Sequence, residues 1–293
     1  MLIVQKSYKN DWPTIYVVST PIGNLDDMSE RSIEVLNGVK TIYCEDTRTS
    51  KVLLNHFNIK KELVSLHKFN ELSLVDNVTE SLKLKNDLAI VSDAGLPGMS
   101  DPGMRLIENL IWEKQVNVNI VCIGGSTAIN HALIAASQYF YEYVFIGFLD
   151  KKENKLIEQI NNALGSTKDR LICFYDSIHR IKETIKIINK HYPSSNLTIA
   201  RELTKINEEI IRGSIEQVSD YVKSTEFVDK GEVCVVLKIN NTINAEKLSD
   251  SELLEKLNTL VKKGIKSTQA IKEIVSSYDV ERDYLYDLWK NEK

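Results

Sequence analysis

Leu88-Ala89-Ile90-Val91-Ser92-Asp93-Ala94-Gly95-Leu96-Pro97-Gly98-Met99-Ser100-Asp101-Pro102-Gly103 is a short apolar run that stops at a loop rich in glycine and proline, and a stretch of helical period from Met104 to Trp112 follows it. A four-residue run with no polar interruption reads as a strand buried on both faces, as in a parallel sheet, and the helical stretch supplies the crossover. The same unit recurs on either side. Ile15 to Val18 leads through Pro21-Ile22-Gly23-Asn24 to a helix that Ser29 can cap, with Ile33 and Leu36 on its buried face and Asn37-Gly38 as its stop. Thr41 to Cys44 leads to a helix over Ser50 to Phe57, Leu63 to Leu66 to one over Ser73 to Lys83, and Asn119 to Ile123 adds a further strand. Such alternation specifies an α/β protein with a largely parallel sheet.

A second set begins at Gly124-Gly125, with a small-faced helix over Ala128 to Ala136. Strands Val144 to Phe148, Leu171 to Tyr175, Leu197 to Arg201, Glu209 to Arg212 and Val233 to Ile239 then alternate with helices Lys152 to Leu164, Arg180 to Lys190 and Ile215 to Val222. The Glu209 strand follows its predecessor without room for a crossover helix, so part of this sheet is expected to be antiparallel. Beyond Asn240-Asn241 the β signal ends. Leu253, Leu254, Leu257, Leu260 and Val261 mark a helix that Gly264 terminates, and Ser267 can cap a second through Ala270, Ile271 and Ile274. The expected organisation is therefore an α/β domain over 1–123, a second over 124–240 and a small helical extension over 241–293.

Composition narrows the function. The 293 residues carry 37 Lys plus Arg against 41 Asp plus Glu, a net charge of -4, which argues against non-specific coating of nucleic acid and leaves room for a local basic groove. The tail has a helix-turn-helix look but no basic face, so DNA is not expected as a partner. No apolar stretch approaches the roughly 20 residues of a spanning helix, and the N-terminus lacks the pattern of a secretory signal, so a cytoplasmic protein without a membrane partner is expected. Cys44, Cys122, Cys173 and Cys234 are widely spaced within apolar runs and read as reduced core residues. Neither they nor the scattered histidines show ligand spacing, and no metal site is expected.

In open α/β sheets ligands gather at the carboxyl ends of strands, where loops enter helices. Asp93 stands at such an end, placed either to accept hydrogen bonds from a ligand's hydroxyls or amine, or to form a rigid turn. Gly124-Gly125-Ser126-Thr127 offers backbone N–H groups and a hydroxyl at a helix start, for an anion or for packing. Cys44-Glu45-Asp46-Thr47-Arg48-Thr49-Ser50 sets two carboxylates at a helix N-terminus, as a cap or as reactive groups, with Arg48 and Lys51 able to hold phosphate. His67-Lys68-Phe69-Asn70-Glu71 mixes a titratable ring, a cation and an aromatic, which suits a stacked nucleotide. Neither a P-loop nor a Gly-x-Gly-x-x-Gly motif occurs, so a nucleoside triphosphatase or an ordinary dehydrogenase is unsupported.

Taken in order, Thr20-Pro21-Ile22-Gly23-Asn24-Leu25, Cys44-Glu45-Asp46-Thr47-Arg48, Ser92-Asp93-Ala94-Gly95, Asp101-Pro102-Gly103, Phe174-Tyr175-Asp176-Ser177, His179-Arg180 and Ala200-Arg201-Glu202-Leu203-Thr204-Lys205 resemble the ribosomal RNA small subunit methyltransferase I family of the tetrapyrrole methylase superfamily. Each motif is short; the ordered set is specific and, with the tail, spans nearly the whole chain. The resemblance implies two α/β domains with S-adenosylmethionine in the cleft between them, a homodimer, and 2'-O-methylation of a cytidine in the decoding region of 16S rRNA within the small ribosomal subunit. It implies cofactor contacts at Asp93, Leu96, Ser126, Thr127, Tyr175 and Ala200, and RNA-facing loops at Pro21, Gly23 and Asn24, at Glu45 to Arg48, and at His67 to Glu71, where Asn70 lies. Three positions depart from the family pattern: Gly124-Gly125-Ser126-Thr127 replaces a proline-containing loop, Phe69 replaces a second histidine, and Asp176 replaces a glutamate.

Methyl transfer from a sulfonium is a direct displacement whose main demand is alignment, and a ribose hydroxyl is a weak acid that a nearby base would help. Glu45, Asp46, His67 and Glu71 are the candidate bases, and Glu45 and Asp46 are favoured because a strand end holds them. Two other readings compete: a same-fold methyltransferase acting on a corrin or porphyrin carbon, and a non-catalytic RNA-binding assembly factor.

Overall fold

The computed structural model describes residues 2–165, 170–240, 248–278, 280 and 282–292. Its first half runs β1 (Thr14–Val18), α1 (Glu30–Gly38), β2 (Thr41–Cys44), α2 (Thr47–His56), β3 (Glu62–Ser65), α3 (Val75–Lys83), β4 (Leu88–Val91), α4 (Met104–Glu108) and β5 (Asn119–Ile123). The strands form one parallel sheet in the order β3-β2-β4-β1-β5, so β1 and β4 lie side by side near its centre. Their apolar runs feed both faces: Ile15, Val17 and Ile90 pack toward α3 and α4, whereas Val18, Ala89 and Val91 pack toward α1 and α2. Ser29 caps α1 as expected, its Oγ accepting from the Ser32 N–H at 3.1 Å. Two helix boundaries differ from the sequence reading. The α2 helix starts at Thr47 rather than Ser50, because Asp46 caps it, and the run after Met104 is α-helical only to Glu108 before a π turn over Asn109–Glu113.

The second half runs α5 (Ala128–Ala135), β6 (Glu142–Phe148), α6 (Glu153–Leu164), β7 (Arg170–Ser177), α7 (Ile181–His191), β8 (Ser195–Arg201), β9 (Glu209–Ser214), α8 (Ile215–Tyr221) and β10 (Glu232–Ile239). The sheet order is β6-β7-β10-β8-β9; only β6 and β7 pair in parallel, and β10 is antiparallel to both neighbours. The mixed sheet anticipated from the short β8–β9 link is therefore present, with more antiparallel pairing than that link alone required. All four cysteines are free thiols, but Cys122 is exposed where a core position was expected, because it lies on β5 at the edge of its sheet.

After residues 241–247, which lie outside the described residues and adjoin the expected domain boundary, come α9 (Asp250–Lys262), α10 (Ser267–Ser277) and α11 (Arg282–Glu292). They share an apolar core of their own, built on Leu253, Leu257, Ile271, Ile274, Leu285 and Trp289. Ser267 is the first residue of α10 and Lys266 stands at its N-cap, so the expected serine cap is not made; α11 was not foreseen. Among the described residues no helix is long and apolar enough to cross a membrane.

Candidate active site

The carboxyl ends of β1, β2 and β4 carry the loops that the sequence marks out, and backbone pairing locks two of them together. Thr20 and Gly95 exchange hydrogen bonds across the loops after β1 and β4, and the Asp46 N–H donates to Asp93 Oδ1 at 3.3 Å, which brings in the loop after β2. Ile22, at the tip of the β1 loop, is buried in the apolar cluster of the second sheet with Leu171, Ala200 and Leu203. Gly23 lies against the Lys205 side chain, where a Cβ would collide, and the Asn24 N–H donates to Thr204 Oγ1 at 3.1 Å. Pro21-Ile22-Gly23-Asn24 is thus a clamp between the two α/β units as well as a rim of the site.

A cavity of about 510 Å³ opens where the two units meet. Five of the six expected cofactor residues, Asp93, Leu96, Thr127, Tyr175 and Ala200, lie on its wall. Ser126 does not; its backbone carbonyl accepts from Ser19 Oγ at 3.0 Å, and Gly125 packs so tightly on Ser19 that a side chain there would clash. Thr127 caps α5 through the Asn130 N–H at 3.3 Å. Tyr175 is framed by Phe145 and Phe148, with ring centroids 5.0 and 5.6 Å away, and burial pushes its hydroxyl up so that it stays a neutral donor. Asp176 holds the turn that follows, its Oδ1 accepting from the Ser177 N–H at 2.8 Å and from Arg180 Nε at 2.7 Å.

The candidate bases separate once their partners are seen. Glu71 is 5% exposed, and its Oε2 accepts from the Gly103 and Arg105 N–H groups at 2.9 and 3.0 Å, capping α4. Asp46 caps α2 and forms a fork with Arg48, Oδ1 to Nε 3.1 Å and Oδ2 to Nη2 2.7 Å; the guanidinium side chain and the Arg48 N–H hold its carboxyl down to about 2. His67 Nδ1 accepts from the Phe69 N–H at 3.3 Å, and Asn70 shapes the same turn, accepting from the His67 N–H and donating to the Ser65 carbonyl. Glu45 is pushed up by burial and by Asp93, against the pull of Lys68 and His67. None of these four lines the cavity.

Asp101 does. Sequence reading quoted its Asp-Pro-Gly motif without giving it a role, and the structure sets it on the wall beside Ser100 and Met99, where burial and the negative charge of Glu45 push its carboxyl up to about 6. Nothing local to the motif marks this, because Glu45 arrives from the end of β2 and the burial is supplied by the cavity wall. Arg48, 89% exposed, and Lys51 lie outside the cavity on α2. Lys68 Nζ sits 4.9 Å from the centroid of the exposed Phe69 ring. No group of His, Cys, Asp or Glu side chains suited to a metal occurs among the described residues.

Residues 14–219 match the family model of the Tetrapyrrole (Corrin/Porphyrin) Methylases. A protein of Halalkalibacterium halodurans called ribosomal RNA small subunit methyltransferase I is 34% identical over 299 residues, covering 98% of this chain and 99% of that one. The chain belongs to that methyltransferase family. A Synechocystis member of the same name is 34% identical over 94% of this chain and 96% of its own length, and a Hydrogenobaculum member is 37% identical over 80% and 99%. Solved tetrapyrrole methylase folds align at lower identity. The methyltransferase CobJ has a TM-score of 0.55 at 16% identity over 76% of this chain and 93% of its own, and a diphthine synthase 0.57 at 12% over 76% and 89%. At such identity they establish the fold alone. The methyltransferase I family and these neighbours thus agree on a two-sheet α/β architecture of the tetrapyrrole methylase type.

Proposed function

We propose that this protein is an S-adenosylmethionine-dependent methyltransferase that methylates the ribose 2'-hydroxyl of a cytidine in 16S rRNA of the small ribosomal subunit. The observation that carries this reading is the cavity between the two α/β units, whose wall unites strand-end residues of both. Its volume of about 510 Å³ falls within the range of small-molecule sites, and its lining suits this cofactor. Leu96, Ile178, Leu203 and Val233 offer apolar surface for a flat base, and Asp93 an acceptor for hydroxyls or an ammonium. When bound, S-adenosylmethionine supplies an electrophilic methyl group and a neutral leaving sulfur.

The protein's share is to bind, align and exclude water. Tyr175 and Phe148 give a rigid aromatic wall, and the Thr20–Gly95 pair keeps the Asp93 loop from shifting. RNA would approach from the side of Arg48, Lys51 and Lys68, which can hold its phosphates. Phe69, 85% exposed beside Lys68, is a platform on which a base can stack. The names of the relatives support the ribosomal substrate.

Mapping methylated riboses in 16S rRNA from cells with and without the protein tests the reading, together with a substrate carrying 2'-deoxycytidine at the mapped position. Ribose methylation that depends on the protein and disappears with the deoxy nucleotide is expected. Methyl transfer that survives on the deoxy substrate would place the reaction on the base and overturn the 2'-O assignment.

A further inference from the structure

The cavity contains an acid that none of the sequence motifs assigned, and of the other acids on its wall Asp93 accepts the Asp46 N–H, Asp176 pairs with Arg180 and Glu232 pairs with Lys205. Glu71 is spent on two backbone donors, and Asp46 on Arg48 and on the start of α2. Asp101 lies on the cavity wall together with Asp93 and Tyr175, on the loop that leads from β4 into α4. The groups that face it are Glu45 from the loop after β2, Asp93 and the Ser92 hydroxyl from the end of β4, and Tyr175 from β7; no cation is among them. A carboxylate with acids for neighbours, no basic partner and a place beside the cofactor pocket is free to take a proton.

We propose that Asp101 is the catalytic base of the methyl transfer, a role that rests on the ribose-methylation reading above. The attacking 2'-oxygen bonds to the methyl carbon as the carbon–sulfur electron pair goes to sulfur. The hydroxyl proton passes to the Asp101 carboxylate and is released to solvent after the products leave. Charge balances: one sulfonium cation is consumed and one proton is released. Burial, together with the charges of Glu45 and Asp93, makes Asp101 a stronger base than an ordinary carboxylate while leaving it ionised at neutral pH, the compromise that favours general-base work.

The test is Asp101→Asn in the full-length protein, read five ways. Cofactor affinity by calorimetry and binding of 30S subunits should each stay within about threefold of wild type. The single-turnover rate at pH 7.5 should fall by roughly 10²–10⁴, the usual effect of removing a general base. The wild-type rate should rise with pH through about 6 and then level, and the variant should lack that rise. Thermal unfolding gives a readout without turnover. Because the folded pKa is raised above the unfolded value, ionising Asp101 destabilises the fold, and the variant should be the more stable of the two at pH 8, with the difference shrinking as the pH falls below about 6 and vanishing once it is below the unfolded value of 3.8. A variant that keeps its rate within tenfold and retains the pH limb overturns the assignment, as does one that is less stable than wild type at pH 8. Wild-type protein that methylates the base instead of the ribose overturns the functional reading itself, a result distinct from failure of Asp101 alone.

Discussion

Thr20 and Gly95 exchange two backbone hydrogen bonds, Thr20 N to Gly95 O at 2.9 Å and Gly95 N to Thr20 O at 3.0 Å, and so join the loops that leave β1 and β4. Gly95 meets Thr20 with φ at +81°, a conformation in which a side chain would be strained. Asp93 lies two residues before this bridge and accepts the Asp46 N–H, so it is fixed from two directions before any ligand arrives.

Asp93→Ala should weaken S-adenosylmethionine by about 1.5–3 kcal/mol, the loss expected for a hydrogen bond to a charged group. Calorimetry reads this directly, and EDTA should leave wild-type affinity unchanged. Full affinity in the variant would remove Asp93 from the cofactor site.

Glu71→Ala should destabilise the protein by about 2–4 kcal/mol, because the Gly103 and Arg105 donors lose a charged acceptor in a buried place. Glu71→Gln, which keeps an acceptor, should lose less. Urea unfolding distinguishes the two, and a methyl-transfer rate that drops without any loss of stability would return Glu71 to the list of chemical groups.

Gly23→Ala should destabilise by about 1–3 kcal/mol as the added methyl group drives into Lys205. Since the same loop carries Ile22 into the second unit's core, cofactor affinity should fall along with stability. A neutral effect on both would mean that the contact yields without consequence.

Deleting the chain from residue 241 should leave a folded protein with unchanged cofactor affinity and weaker RNA binding, since the tail builds its own apolar core. Loss of folding or of the cofactor in the truncated protein would place the domain boundary elsewhere.

The protein should be a homodimer in solution. Tyr141 and Tyr143, 78% and 47% exposed at the start of edge strand β6, offer the kind of aromatic surface that a second copy would cover. Light scattering at micromolar concentration that finds only the 33.4 kDa monomer would count against this.

What the sequence by itself determined about this protein is what short stretches of chain decide locally. Leu88 to Val91 has no polar residue to offer water, so it is a central strand; Ser29 caps α1 with a group three residues from its partner; and loops leaving parallel strands collect at one edge, which put Asp93 beside the cavity. Tertiary structure alone decided which of the acids remained available. Glu71 finds its donors 32 and 34 residues away, the Asp46 N–H meets Asp93 across 47 residues, and Gly23 meets the Thr204–Lys205 turn of the other unit. A carboxylate's chemistry is set by its hydrogen-bond partners, its burial and neighbouring charges, and those are supplied by segments that approach only in space. That is why Asp101, silent as a letter within an Asp-Pro-Gly motif, becomes the acid of the cavity wall once the ends of β2, β4 and β7 converge around it.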